Sequence, residues 1–380
     1  MTQDLGPNTP LIGQPGSRLN LQTPALILDL DALERNIARM ARTGRQLGVL
    51  LRPHAKTHKS IHIARMQIDA GAVGVCTATL GEAEVMVRGG ITNVLITTPV
   101  VGPGKIARFL DLNRMTAGLM VVVDDAGNVD ALAEAALVVG QTLRLLVALD
   151  VGNQRIGTPD PERGLALARQ IDRAEKLEFA GVHAYAGILQ HIREYEERCT
   201  LAETVNAGIV ALKRLLVEAG LEPAIVTGAG TGTHEIDAVS GVFTELQVGS
   251  YVFTDVEYNA VALCRETGRP FEPSLFVQTM VVSANHKGFV TTDAGTKRFA
   301  TGVALPQVVS GAPLTCLYSF RGDEHGKLVF EDPGLGLPLG ARVELLTPHC
   351  DPTVNLYDVY HVVRGDTLVD IWPVDARGAI

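Results

Sequence analysis

Val49-Leu50-Leu51-Arg52-Pro53-His54-Ala55-Lys56-Thr57-His58-Lys59-Ser60 is an apolar run that breaks into a basic turn. Residues 61–68 then carry a helical pattern. The stretch reads as strand, turn and helix, with Lys56 at the C-terminal end of the strand. Arg52, His54, His58 and Lys59 crowd that lysine with like charge. The expectation is a lowered pKa and a neutral amine able to attack a carbonyl. An arbitrary cluster of this composition is more often a solvated basic loop.

The same unit recurs on both sides. Strand-like runs fall at 25–30, 49–52, 73–76, 94–97, 120–123, 145–150, 179–184 and 224–227. Helical patterns lie between them, at a spacing of roughly thirty residues, the size of a βα unit. Asp31, with Glu34 three residues on, is the expected cap of the first helix. The fold class expected is α/β, a (β/α)8 TIM-like barrel, with a doubly wound sheet as the alternative. After Asp255 the pattern changes to short alternating runs at 274–282, 288–292, 314–319, 327–330, 341–346, 359–363 and 367–372. This is a second, mostly antiparallel β domain. The division expected is a barrel over 24–260, and a β domain over 261–380 with part of 1–23. Residues 1–20 read as an irregular arm.

A chain of 380 residues with 46% hydrophobic and 20% charged residues can bury a large core. Its net charge of −9 argues against nucleic acid or an anionic membrane as a bulk partner. Cys76, Cys199, Cys264, Cys316 and Cys350 form no C-x-x-C pair, so reduced thiols in a cytoplasm are expected. No apolar stretch suits a signal or a membrane span.

In an α/β barrel the chemistry gathers at the C-terminal ends of the strands, which pools motifs far apart in sequence. Asp150-Val151-Gly152-Asn153-Gln154-Arg155 follows one strand, and His183-Ala184-Tyr185 leads to His191 after the next. Either alone reads as an ordinary polar loop. Thr227-Gly228-Ala229-Gly230-Thr231-Gly232-Thr233 suits an anion, because glycines let backbone N–H groups turn inward and hydroxyls add donors. Its spacing is neither a P-loop nor a dinucleotide fingerprint. Tyr251, in a buried strand-like run, reads as a core aromatic. His349-Cys350-Asp351 places an imidazole and a carboxylate two residues apart, on one side of an extended stretch, with Cys350 pointing away. A nitrogen and an oxygen ligand with open positions suit Mn²⁺ or Mg²⁺. Standing alone, the pair would read as a capped turn before Pro352.

Taken in order, these stretches, with Asp323-Glu324-His325-Gly326, resemble the D-threonine aldolase and 3-hydroxy-D-aspartate aldolase group of alanine-racemase-like (fold-type III) pyridoxal phosphate enzymes, related to D-serine dehydratase. The resemblance spans nearly the whole chain. It implies that Lys56 carries pyridoxal 5′-phosphate as a Schiff base and that Arg155 faces the pyridine nitrogen. It places Tyr185 near the cofactor, with Thr227, Gly230, Thr231 and Tyr251 holding it and its phosphate. It implies a divalent metal on His349 and Asp351, and His191 as the base on the substrate hydroxyl. It further implies a homodimer in which the β domain of one subunit closes the barrel mouth of the other. The substrate expected is a small D-β-hydroxyamino acid, D-threonine-like, with 3-hydroxy-D-aspartate a candidate, cleaved to glycine and an aldehyde. Ala78-Thr79-Leu80-Gly81-Glu82-Ala83-Glu84 departs from the aldolase pattern, which has a glutamine there, and is closer to the dehydratase branch. Dehydration to an oxo acid and ammonia is therefore the alternative. A racemase or a non-catalytic cofactor carrier would need no metal pair.

Overall fold

The computed structural model describes residues 5–266 and 268–380. Strand β1 (Ala25–Asp29) leads into helix α1 (Leu30–Leu47). Strands β2 (Leu50–Leu51), β3 (Val75–Thr77), β4 (Val94–Ile96), β5 (Met120–Val123), β6 (Leu143–Ala148), β7 (Leu177–Ala184), β8 (Ile225–Gly228) and β9 (Glu245–Leu246) form one parallel sheet of eight. Its edges meet: Val73 N–H donates to Leu51 O at 2.9 Å and Cys76 N–H to Pro53 O at 2.8 Å, closing a barrel. Helices α2 (Ile61–Asp69), α3 (Leu80–Arg88), α4 (Pro103–Met115), α5 (Ala126–Val139), α6 (Pro161–Arg173), α7 (Tyr195–Glu218) and α8 (His234–Val239) connect them. Strand residues alternate between two cores, as the period of two requires. Met120 and Val122 pack inside the barrel, while Val121 and Val123 pack against the helices.

Helix α9 (Val256–Asn259) ends the barrel region. Strands β10 (Leu275–His286), β11 (Phe289–Thr292), β12 (Gln307–Ser310), β13 (Leu317–Phe320), β14 (Gly326–Val329) and β15 (Arg342–Leu346) follow, then α10 (Cys350–Val354), β16 (Val359–Arg364) and β17 (Thr367–Pro373). The second sheet has the order β11-β14-β13-β12-β15-β10-β1-β16-β17, and β10 also pairs with β11, so part of it closes on itself. Every pairing in it is antiparallel except β1 with β16.

Two expectations are corrected here. Residues 25–30 are not the first barrel strand: Ala25–Asp29 lies between β10 and β16, and the eighth barrel strand is Glu245–Leu246. An apolar run that is buried on both faces reads alike in either sheet. The cap of α1 is Asp29, whose Oδ1 accepts from Ala32 N–H at 3.0 Å. Asp31 and Glu34 instead pair with Arg364. The arm expected over 1–20 has its residues 1–4 outside the described residues. From residue 5 it holds two short 3₁₀ turns and straps the second sheet, with Arg18 clamped on Glu344 at 2.8 and 2.7 Å. The five cysteines are free, and no helix among the described residues is long and apolar enough to cross a membrane.

Candidate active site and metal centre

A cavity of about 330 Å³ opens at the C-terminal ends of the barrel strands. Lys56 enters it from a 3₁₀ turn, Ala55–Thr57, that follows β2. Its Nζ meets Asp351 Oδ2. Burial disfavours the charged amine, but the Asp351 carboxylate outweighs it and the pKa is raised. This reverses the expectation of a lowered pKa. The neighbouring charges counted in sequence are absorbed by acids distant in sequence. Arg52 turns into the barrel and donates to both oxygens of Glu245, at 2.7 and 3.0 Å. Lys59 pairs with Glu82 at 2.5 Å. Burial lowers the pKa of His54 and takes that of His58 to about 4, so both are neutral.

Arg155, Tyr185, Gly230 and Thr231 also line the cavity. The Arg155 loop is fixed by Asp150 Oδ1, which accepts from Gly152 and Gln154 N–H at 3.0 and 3.1 Å, and by Asp124, which accepts from Gly157 N–H at 2.9 Å. The guanidinium lies 5.9 Å from the Tyr185 ring centre. Thr227 stands behind the wall: its Oγ1 accepts from Gln247 Nε2 at 3.1 Å, and Gln247 is the lining residue. Tyr251 is not in the wall either. Its side chain is buried against Phe271, its hydroxyl accepts from Gln67 at 3.0 Å, and its N–H donates to Thr231 Oγ1 at 3.0 Å.

The donor set fits a phosphate. Two 3₁₀ turns, Thr231–Thr233 and Ser250–Val252, begin at the cavity wall; Gly232 N–H is taken by Gln190 and Tyr251 N–H by Thr231, which leaves the leading N–H groups of Thr231 and Ser250 as the donors for an anion. There is no room for side chains behind them. A Cβ at Gly230 would stand 2.4 Å from Gln190 Oε1, and one at Gly249 would stand 2.6 Å from Thr57 Oγ1.

His349 caps α10, and Asp351 lies in its first turn, so the pair sits at a helix start and not in the extended stretch expected. His349 Nδ1 is 3.2 Å from Asp255 Oδ2 and 3.7 Å from Glu257 Oε2. Burial lowers the imidazole pKa, but the bond to Asp255 and the surrounding carboxylates raise it overall. Lys56 and His349 hold the Asp351 carboxyl below the usual range although burial opposes this. Cys350, expected to point away, has its Sγ within 4.8 Å of ligand atoms of His349 and Asp255, and 3.5 Å from Asp351 Oδ1. The thiol is wholly buried, which pushes its pKa up. Among the described residues, the ligand atoms that lie within 4.8 Å of one another are those of Asp255, His349 and Cys350; Asp351, expected as a ligand, is not of that group and meets Lys56 instead.

His191 does not line the cavity. It borders an adjoining cleft of about 980 Å³ with Arg193 and Glu257, 4.7 Å from the Tyr258 ring and 6.2 Å from that of His349. Partial burial lowers its pKa. Tyr258 and Gln247 line the cavity and Asp255 stands behind it, all three without a role in the sequence reading, while His54 and His183, read there as a neighbouring charge and a polar loop residue, line it too. Asp255 carried a signal: an aspartate three residues before Tyr258 is a helix-cap pattern, and its Oδ1 accepts from Tyr258 N–H at 2.8 Å. In the departing stretch, Ala78 lines the cavity while Glu82 braces the lysine turn through Lys59 and Ala78 N–H at 2.7 Å. Residues 323–325 lie on the surface, with Glu324 pairing with Lys297 at 2.6 Å, and the buried Gly326 begins β14.

A closed parallel barrel with a lysine after its first strand, joined to an antiparallel β sheet, defines the class: residues 28–256 match the family described as alanine racemase, N-terminal domain, and the chain belongs to it. Residues 274–363 match a serine dehydratase domain. Within the class, the chain falls in the D-threonine aldolase and 3-hydroxy-D-aspartate aldolase group. It is 40% identical over 369 residues to D-threonine aldolase of Arthrobacter sp., covering 96% of this chain and 95% of the relative. The crystal structure of D-threonine aldolase from Filomicrobium marinum superposes with a TM-score of 0.90 at 40% identity, over 95% of this chain and 97% of that one. D-threo-3-hydroxyaspartate dehydratase from Delftia sp. HT23 superposes with a TM-score of 0.84 at 29% identity, over 94% and 98%.

Proposed function

We propose that the chain is a pyridoxal 5′-phosphate- and divalent-metal-dependent lyase that cleaves D-β-hydroxy-α-amino acids, D-threonine-like, to glycine and an aldehyde. The observation that carries this reading is the contact of the Lys56 amine with Asp351, beside His349, at one barrel mouth. Lys56 would hold the cofactor's aldehyde carbon, Arg155 its ring nitrogen, and the turns at Gly230, Thr231, Gly249 and Ser250 its phosphate. Tyr185 would flank it, with Thr227 and Tyr251 supporting the wall from behind. His349 and Asp351 would hold the metal, for which Mn²⁺ or Mg²⁺ suits a nitrogen and oxygen pair. When bound, the cofactor supplies an electron sink at Cα and the metal lowers the pKa of the substrate hydroxyl. The chain's own groups do the rest. The His191 imidazole, kept neutral by partial burial, borders the neighbouring cleft 6.2 Å from the His349 ring and would accept the hydroxyl proton of a substrate that reaches past Tyr258 to it. Lys56 Nζ, which reaches into the cavity, would be available to return a proton to Cα. The cavity walls would restrict the bound substrate's orientation, which is what cleavage of one chosen bond at Cα needs.

Exposed Leu314 and Leu317, 73% and 72% accessible beside the His191 cleft, form the kind of apolar rim that a partner covers. We read this face as the contact of a homodimer in which one subunit closes the other's barrel mouth. Five free cysteines suit a reducing cytoplasm. Dehydration is the second reading, favoured by Ala78 in the wall where the aldolase pattern has glutamine. Incubation with D-threonine and Mn²⁺ separates the two. Glycine and acetaldehyde are expected; 2-oxobutyrate and ammonia would overturn cleavage.

A further inference from the structure

Asp255 is wholly buried and belongs to the segment that leaves the barrel, ninety-odd residues before the His349 helix. Its two oxygens take three donors. Oδ1 accepts from Tyr258 N–H at 2.8 Å and so caps α9. Oδ2 lies 3.2 Å from His349 Nδ1 and accepts from Cys350 N–H at 3.0 Å. Two further bonds join the same segments: Val256 N–H to Thr347 O at 3.1 Å, and Glu257 N–H to Pro348 O at 3.4 Å.

We infer that Asp255 is a positioning residue that fixes the tautomer and direction of His349, so that Nδ1 carries the proton and Nε2 presents its lone pair to a divalent cation. The inference rests on the proposed metal site. A carboxylate has no proton to share, so the hydrogen between Oδ2 and Nδ1 belongs to the imidazole, and Nε2 is left as the free acceptor. The same oxygen pins the first N–H of α10, whose next residue is Asp351, so one buried group sets the backbone of both ligands. With no exposed surface and three donors already on its oxygens, Asp255 is placed to orient and not to ligate. Carboxylates behind metal-bound histidines typically raise metal affinity 10–100-fold. Glu257 is half-buried, and its oxygen at 3.7 Å is beyond hydrogen-bond reach of Nδ1.

The test is Mn²⁺ titration of the cofactor-loaded enzyme, read as loss of the free-ion electron paramagnetic resonance signal. Asp255→Asn keeps the cap on α9, since asparagine caps helices as well as aspartate, and removes the charge facing His349. The expected result is affinity weakened about 10–100-fold with the cofactor's visible absorbance held and the melting temperature lowered, because the amide nitrogen cannot accept from Cys350 N–H, while Glu257→Gln binds within about twofold of the parent. Asp255→Asn binding as tightly as the parent would overturn the inference, as would equal losses in both variants. Complete loss, equal to that of His349→Ala, would make Asp255 a ligand and would also overturn it. A parent enzyme that binds no Mn²⁺ would instead bring down the proposed function, and the inference with it. Independently of folding in any Asp255 variant, long-range ¹H–¹⁵N spectra of the metal-free parent, assigned with His349→Ala, should show Nδ1 protonated. The spectrum is read on the neutral ring, above the pH at which both nitrogens carry protons, and a neutral ring with Nε2 protonated and Nδ1 bare contradicts the inference.

Discussion

A methyl group at position 232 has nowhere to go: a Cβ there would stand 2.3 Å from the backbone oxygen of Gln190. The Gln190 side chain in turn accepts from Gly232 N–H at 2.9 Å and donates to Thr233 Oγ1 at 3.3 Å, so this one amide holds the turn read as the phosphate seat. Gly232→Ala should therefore cost about 1–3 kcal/mol of stability and weaken cofactor binding. A melting curve with a pyridoxal phosphate titration checks both, and an unchanged melt would show that the turn has slack. At this scale Lys56, His349 and Asp351 were legible by residue type alone, and the structure brings the Lys56 amine against Asp351. The sequence was misread where charge depends on distant partners. The Lys56 neighbourhood reads as crowded with cations until Glu245 is seen to take Arg52 and Glu82 to take Lys59. Tyr251 shows a different limit, since a motif match fixes a position in the chain and not the direction of a side chain.

Helix α8 carries its own pH dependence. Asp237 is buried under it, with Asn206 Nδ2 3.4 Å away, and burial pushes its carboxyl up to about 6. The unfolded value is about 3.9, so the folded state holds the proton more tightly. The stability this provides is complete below about pH 4 and is lost as pH rises through about 6. Asp237→Asn should remove that dependence. Relative to the variant, the parent should lose on the order of 3 kcal/mol between pH 4 and pH 7, measurable by denaturant unfolding at the two pH values. A constant difference would mean that the carboxyl is not protonated in the fold. Element identity was legible because strand and helix periods differ, but sheet membership was not. Ala25–Asp29 has the apolar run of a buried strand, and only its partners Leu275–His286 and Val359–Arg364 decide which sheet owns it. The eighth barrel strand, Glu245–Leu246, is two residues long and too short for a periodicity of its own.

Across the whole molecule, the two sheets converge on one cavity because α10 of the second sheet inserts Asp351 against the Lys56 turn. The apolar rim at Leu314 and Leu317 predicts a dimer, and light scattering should give twice the chain mass of 40.5 kDa. A monomer at micromolar concentration would contradict that reading of the rim. The account as a whole stands on the Lys56 amine as the point of cofactor attachment. Borohydride reduction of the cofactor-loaded enzyme, followed by peptide mass mapping, tests this directly. The phosphopyridoxyl mass is expected on the peptide containing Lys56 and to be absent from a Lys56→Ala protein. Its appearance on Lys59 or another lysine, with Lys56 unmodified, would contradict the account.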